Sequence, residues 1–134
     1  MKASRHRRAL ARYRALLADP YATPDADLAF EAASSASRVN GDLANQLKAR
    51  GRLLLGFEAL AKGDIAAAER DFRAAREKEP ANAVARYGLA RALARAGRPD
   101  EAVVELQEAV RLDPSARGHA ESEPDLAGVA PRLR

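Results

Sequence analysis

Two stretches of this chain, each ending in an acid followed by proline, lie thirty-four residues apart: "EKEPAN" around Pro80 and "RLDPSA" around Pro114. Sliding the sequence by that interval pairs 49–82 with 83–116 without a gap. Seven positions are identical: Ala49/Ala83, Arg52/Arg86, Leu55/Leu89, Gly63/Gly97, Ala68/Ala102, Ala75/Ala109 and Pro80/Pro114. Phe72/Leu106 and Glu79/Asp113 agree in kind. A fixed period of this length makes each copy one supersecondary unit that must stack on its neighbour to bury its apolar face.

The matched residues have mechanical roles. "GRLLLGFEALAKG" and "RYGLARALARAG" have helical period and end in Gly63 and Gly97, where glycine can take the left-handed conformation that closes a helix. New helices start at once, at Asp64 and in "RPDEA", which places Pro99, Asp100 and Glu101 in a first turn. Proline loses no hydrogen bond there, and acids meet the helix dipole. The second helices carry Ala68, Phe72, Ala75 and Ala102, Leu106, Ala109 at spacings of four and three, which keeps each set on one face. Small alanines let another helix approach, and the larger residue fills the space between them. Pro80 and Pro114 then end the helices and push Glu79 and Asp113 out of α geometry.

Composition agrees with an all-α reading. Apolar residues make up 47% of the chain but aromatics only 4%, so the apolar share is mostly alanine and leucine, both helix formers. With no cysteine, disulfides and thiolate metal sites are excluded. No run reaches the apolar length of a membrane span, and Arg12 and Arg14 interrupt what would be the apolar middle of a signal peptide. A soluble, cytoplasmic protein is the expectation, and the abundance of alanine and arginine points to a GC-rich bacterial genome. The net charge of +4 is local: residues 1–14 hold six Lys/Arg and no acid, and beyond them 17 basic groups face 19 acidic ones.

The pattern of Leu55-Gly56 or Leu89-Ala90, then Gly63 or Gly97, then Ala, Phe/Leu, Ala and Pro resembles the tetratricopeptide repeat. The resemblance covers 49–116, about half the chain. It departs from the family where Arg52 and Arg86 occupy the place of a large aromatic, and where Ala59 and Leu93 replace another. The resemblance implies a right-handed α-solenoid of helix hairpins in which the first helix of each repeat lines a concave groove that holds a protein segment. Carried over residue by residue, the groove would take Arg50, Leu53, Leu54, Phe57, Leu60 and Ala61 from the first repeat. The second would add Val84, Tyr87, Gly88, Arg91, Ala94 and Arg95. Leu53, Phe57, Leu60, Tyr87, Arg91 and Arg95 are the partner-binding candidates: greasy on one side, cationic on the other, suited to an amphipathic helix or an acidic-apolar peptide. Leu53 and Phe57 stand where carboxylate-clamp members of the family have Lys and Asn, which argues against a chaperone-tail clamp. The apolar stripe has a second reading, internal packing beneath the N-terminal helices.

Flanks complete the division. Residues 1–48 read as a basic helix with Leu10, Tyr13 and Leu17 in register, then a capping helix with Leu28 and Ala32 that runs into the first repeat. Residues 117–134 read either as a cap, with Asp125, Leu126 and Ala127 docked on the last repeat, or as a frayed end. Arg5, Arg8 and Arg12 fall along one side of the basic helix and form a candidate anion site for nucleic acid or an anionic surface. That partner class is disfavoured because only Tyr13 is at hand for stacking.

Catalysis has little to work with. His6 and His119 lie near opposite ends, and no HExxH, Gly-rich phosphate loop or GxSxG is present. The expectation is a protein-binding adaptor with no cofactor and no metal, its partner a peptide or helix of another protein, with self-association left open.

Overall fold

The computed structural model describes residues 41–134. Four helices form two antiparallel hairpins: α1 (Gly41–Lys62) with α2 (Ile65–Lys78), and α3 (Ala83–Arg95) with α4 (Pro99–Leu112). The hairpins stack through α2 against α3, and α1 also touches α3. A short helix α5 (Ala116–Ser122) follows, then two 3-10 turns at Pro124–Leu126 and Ala130–Arg132. The N-terminal basic helix and most of the capping helix expected over 1–48 lie outside the described residues.

Both hairpin turns are built alike. Gly63 and Gly97 have φ of 81° and 79°, and no other glycine among the described residues has positive φ. Around them the Asp64 amide donates to the Ala59 carbonyl and the Arg98 amide to the Leu93 carbonyl, both at 2.9 Å. These six-to-one bonds satisfy carbonyls that the helix end would leave unpaired. Two of the helix starts carry side-chain caps. The Asp64 carboxylate accepts from the Ala67 amide at 3.2 Å, and the Asn82 side chain accepts from the Ala85 amide at 3.1 Å, the usual work of an N-cap. Glu79 and Asp113, each before a proline, have left α geometry (ψ 81° and 101°).

The core runs the length of the stack. Ala68, Phe72, Ala75, Ala102, Leu106 and Ala109 are all fully buried. Phe72 is the keystone. Its ring meets Phe57 edge-on at 4.9 Å between centroids and comes close to the backbone of α1 at Gly56 and of α3 at Gly88. A methyl group added at Gly56 would stand 2.8 Å from the ring, and one at Gly88 only 2.3 Å. No carbon can sit that close, so these two glycines admit the phenyl group. Gly88, carried over as a groove position from the family, is thus a core contact between repeats.

Charges tie the helices together on the same template. Arg52 reaches Asp71 at 3.3 Å, and thirty-four residues on Arg86 reaches Glu105 at 3.1 Å. Each joins the first and second helix of one repeat. Arginine at the place of the missing aromatic is therefore matched by an acid inside the second helix. Glu105 also takes Arg76 from the preceding repeat, so it links α2, α3 and α4.

A second bridge between the repeats centres on Glu69 of α2, which accepts from Arg98 at the start of α4 and from Arg73 at 2.9 Å. The Arg98 guanidinium, seconded by Arg73, holds the Glu69 carboxyl below the usual glutamate range, although partial burial pushes the other way. A carboxyl lowered by folding stabilises the native state above its unfolded pKa, and the contribution is lost as pH falls through the folded value. Thermal melts of wild type and Glu69→Gln should therefore differ at pH 7 and converge as the pH is taken well below about 4.5, the ordinary glutamate value. Coincident curves at all pH values would show that the pair adds nothing.

Candidate interaction surface

The six partner-binding candidates fall into three environments. Leu53 and Leu60 are buried in the core, and Phe57 is half-buried against it. Tyr87 is half-buried with its ring edge-on to His119, 6.5 Å between centroids. Arg91 and Arg95 stand one turn apart on α3, on the face that α3 shares with α1. The structure brings Arg91, Arg95 and Phe57 together: the Arg91 guanidinium lies 6.0 Å from the centre of the Phe57 ring, within reach of a cation–π attraction. Arg95 donates to the Leu60 carbonyl at 2.8 Å, which anchors it to the end of α1. Arg5, Arg8 and Arg12 lie outside the described residues.

What occupies this face is the chain's own C-terminal segment. Arg91 donates from Nη2 and Nε to one Asp125 oxygen, at 3.1 and 3.3 Å. It also pairs with Glu123 at 3.5 Å. Arg95 reaches the other Asp125 oxygen at 3.8 Å. Beside these contacts Leu126 is fully buried and Val129 nearly so, both in the same core as Phe72 and Leu89. The 3-10 turn at Pro124–Leu126 lies against α3, while α5 and the last turn pack on α4 and on each other.

Local chemistry explains the course of this segment. Asp113 accepts from the Ser115 amide and hydroxyl at 3.0 and 2.7 Å, turning the chain after Pro114 into α5. Pro124 then prevents α5 from continuing. The Glu123 carboxylate accepts from the Asp125 amide at 3.3 Å. Further on, the Arg132 side chain pairs with Asp100 at 2.8 Å, and the Arg134 amide donates to Gln107 at 2.9 Å.

On the side formed by α2 and α4, a shallow cleft of about 230 Å³ is lined by Arg73, Leu93, Glu101, Val104 and Glu105. Val104, 68% exposed, is the one large apolar side chain left open among the described residues. No cluster of three His, Cys, Asp or Glu among them could hold a metal ion, and none of their helices is long and apolar enough to cross a membrane.

Asp71, Glu105 and Glu123 carry no functional or structural assignment in the sequence pattern, and Asp125 only as part of a docking segment. For the first two a signal existed: Asp71 and Glu105 occupy equivalent positions of the 34-residue period, one residue before another conservative change, Phe72/Leu106. For Glu123 and Asp125 only the sign of their charge hinted at Arg91 and Arg95.

Residues 59–120 match the family model described as Tetratricopeptide repeat. Among curated proteins, none matches the chain. Tetratricopeptide repeats are non-catalytic scaffolds that mediate contacts between proteins. Two antiparallel helix hairpins cut to one 34-residue template and closed by the same glycine turn agree with that match, which supports identifying the matched stretch as tetratricopeptide repeats.

Proposed function

We propose that the protein is an adaptor that holds a segment of another protein against the face formed by α1 and α3. One observation carries this reading: Arg91, Arg95 and the Phe57 ring converge there and already grip an acidic-apolar stretch of chain. Two cations beside an aromatic and an apolar floor suit a peptide that brings carboxylates and a leucine-like anchor. Leu53 and Leu60 support the floor from below rather than touching a partner.

Affinity capture from the native host with three proteins tests the proposal: wild type, Arg91→Glu/Arg95→Glu, and a chain lacking residues 1–14. The expected result is a partner kept by wild type and by the shortened chain but lost by the charge-reversed variant, with circular dichroism showing that all three are helical. Capture that survives charge reversal, vanishes without residues 1–14 and falls steeply with salt would overturn it in favour of an anionic surface bound by Arg5, Arg8 and Arg12.

A further inference from the structure

The acids that pair with Arg91 and Arg95 among the described residues all belong to one segment, Glu123–Asp125, and the residue after it is Leu126. We infer that this segment occupies, within the chain, the very site a partner uses: the face of Phe57, Arg91 and Arg95 takes a partner strand bearing two carboxylates and a leucine in Glu-x-Asp-Leu spacing, after the chain's own C-terminus has swung away. The inference rests on the adaptor reading and gives its partner a chemistry.

Three features argue for it. The first is complementarity. Asp125 uses both oxygens, one for each arginine, while Glu123 adds a second contact to Arg91, an arrangement that recognises carboxylates by position as well as by charge. The second is the apolar seat. Leu126 contributes an anchor that is wholly covered against α3 and its neighbours, so the site reads a leucine as well as acids. The third is how lightly the segment is fastened. After Ser122 it contains only three-residue 3-10 turns, which have poor intrinsic stability. Its outer ties are exposed: Arg132 to Asp100, the Arg134 amide to Gln107, and Arg117 to the Arg134 carbonyl at 2.7 Å. Exposed ion pairs contribute little. Such a segment opens without the rest of the fold.

The buried Leu126 and Val129 keep the site shut most of the time. A partner then binds with an affinity lowered by the fraction of open molecules. The tail acts as a threshold, and only a segment that matches its acids and its leucine at high local concentration displaces it.

Hydrogen exchange on the full chain provides the first test. The amides of Leu126, Val129 and Arg132 are bonded to the carbonyls of Glu123, Leu126 and Val129 at 3.0, 3.0 and 2.9 Å. They are expected to exchange at least about tenfold faster than the amides of Leu89 and Leu93 in α3, through an opening confined to the tail. The second test uses a fluorescent synthetic peptide of residues 121–134 as the probe. Glu123→Lys/Asp125→Lys, which repels the tail from Arg91 and Arg95, is expected to bind it at least about tenfold more tightly than wild type. Adding Arg91→Glu/Arg95→Glu should abolish that binding. Tail amides that exchange in step with α3, or a peptide bound no better by the tail variant than by wild type, would overturn the inference. The adaptor reading fails separately: it would survive if Arg91 and Arg95 remained essential for capturing a partner that wild type and the tail variant hold equally well.

Discussion

Gly88→Ala is expected to destabilise the protein by about 3 kcal/mol, at the upper end of what overpacking a buried site costs. The new methyl would lie 2.3 Å from the Phe72 ring, and the ring has nowhere to go: Gly56 bounds it on α1, and Phe57 meets it edge-on. The clash belongs to the pair of residues and not to the glycine alone. Gly88→Ala should therefore cost far less in a Phe72→Leu background, where the branched side chain leaves room. A double-mutant cycle by urea denaturation measures this, with a coupling of about 1–2 kcal/mol expected between touching residues. Additive effects would mean that Gly88 is required for some other reason. The second repeat supplies a natural precedent at the other wall of the pocket, since Ala90 and Leu106 stand where the first has Gly56 and Phe72. A smaller ring-side residue accompanies a larger helix-side one.

Glu105→Gln is expected to cost about 2–3 kcal/mol. Glu105 is 9% exposed, and its carboxylate serves Arg76 and Arg86 from two different helices. Neutralising it leaves two cations facing each other with no acid between them, the case in which breaking a buried pair is expensive. Both arginines keep some contact with water, which holds the loss below the full buried-pair range. The equivalent Asp71→Asn should cost clearly less. Asp71 is 3% exposed, yet the side chain of its partner Arg52 is 44% exposed, about twice as open as either partner of Glu105, and can rehydrate. Equal losses at 71 and 105 would show that linking the repeats contributes nothing beyond each local ion pair. Chemical denaturation at neutral pH separates the two outcomes.

Much of this architecture is legible in the sequence because the repeat isolates it. Gly63 and Gly97 recur where a left-handed residue is needed, and both adopt positive φ. Ala68, Phe72, Ala75 and their partners 102, 106 and 109 recur at one helical face, and all are buried. The match of residues 59–120 to the tetratricopeptide repeat agrees with that reading. What periodicity could not convey is anything that breaks it. Leu54 in the first repeat corresponds to Gly88 in the second, and a position that changes from large to absent carries no pattern, although Phe72 depends on it. The partners of Arg91 and Arg95 lie thirty-odd residues downstream in a segment without helical period. Charge alone cannot say which acid, among many, comes within 4 Å of which arginine. Apolar spacing likewise cannot distinguish a leucine that touches a ligand from Leu53 or Leu60, which turn beneath the surface.

The fit of Phe72 against Gly88 also means that the two modules are not interchangeable parts. A second copy of 49–82 placed after the first would present Leu54 where Phe72 requires a bare backbone, and the seam would jam. A second copy of 83–116 placed after itself would set Gly88 over Leu106 and leave a gap. The order of the units is thus written into one joint, so lengthening this array by duplication would require a compensating change at the seam, even though the template looks free to repeat.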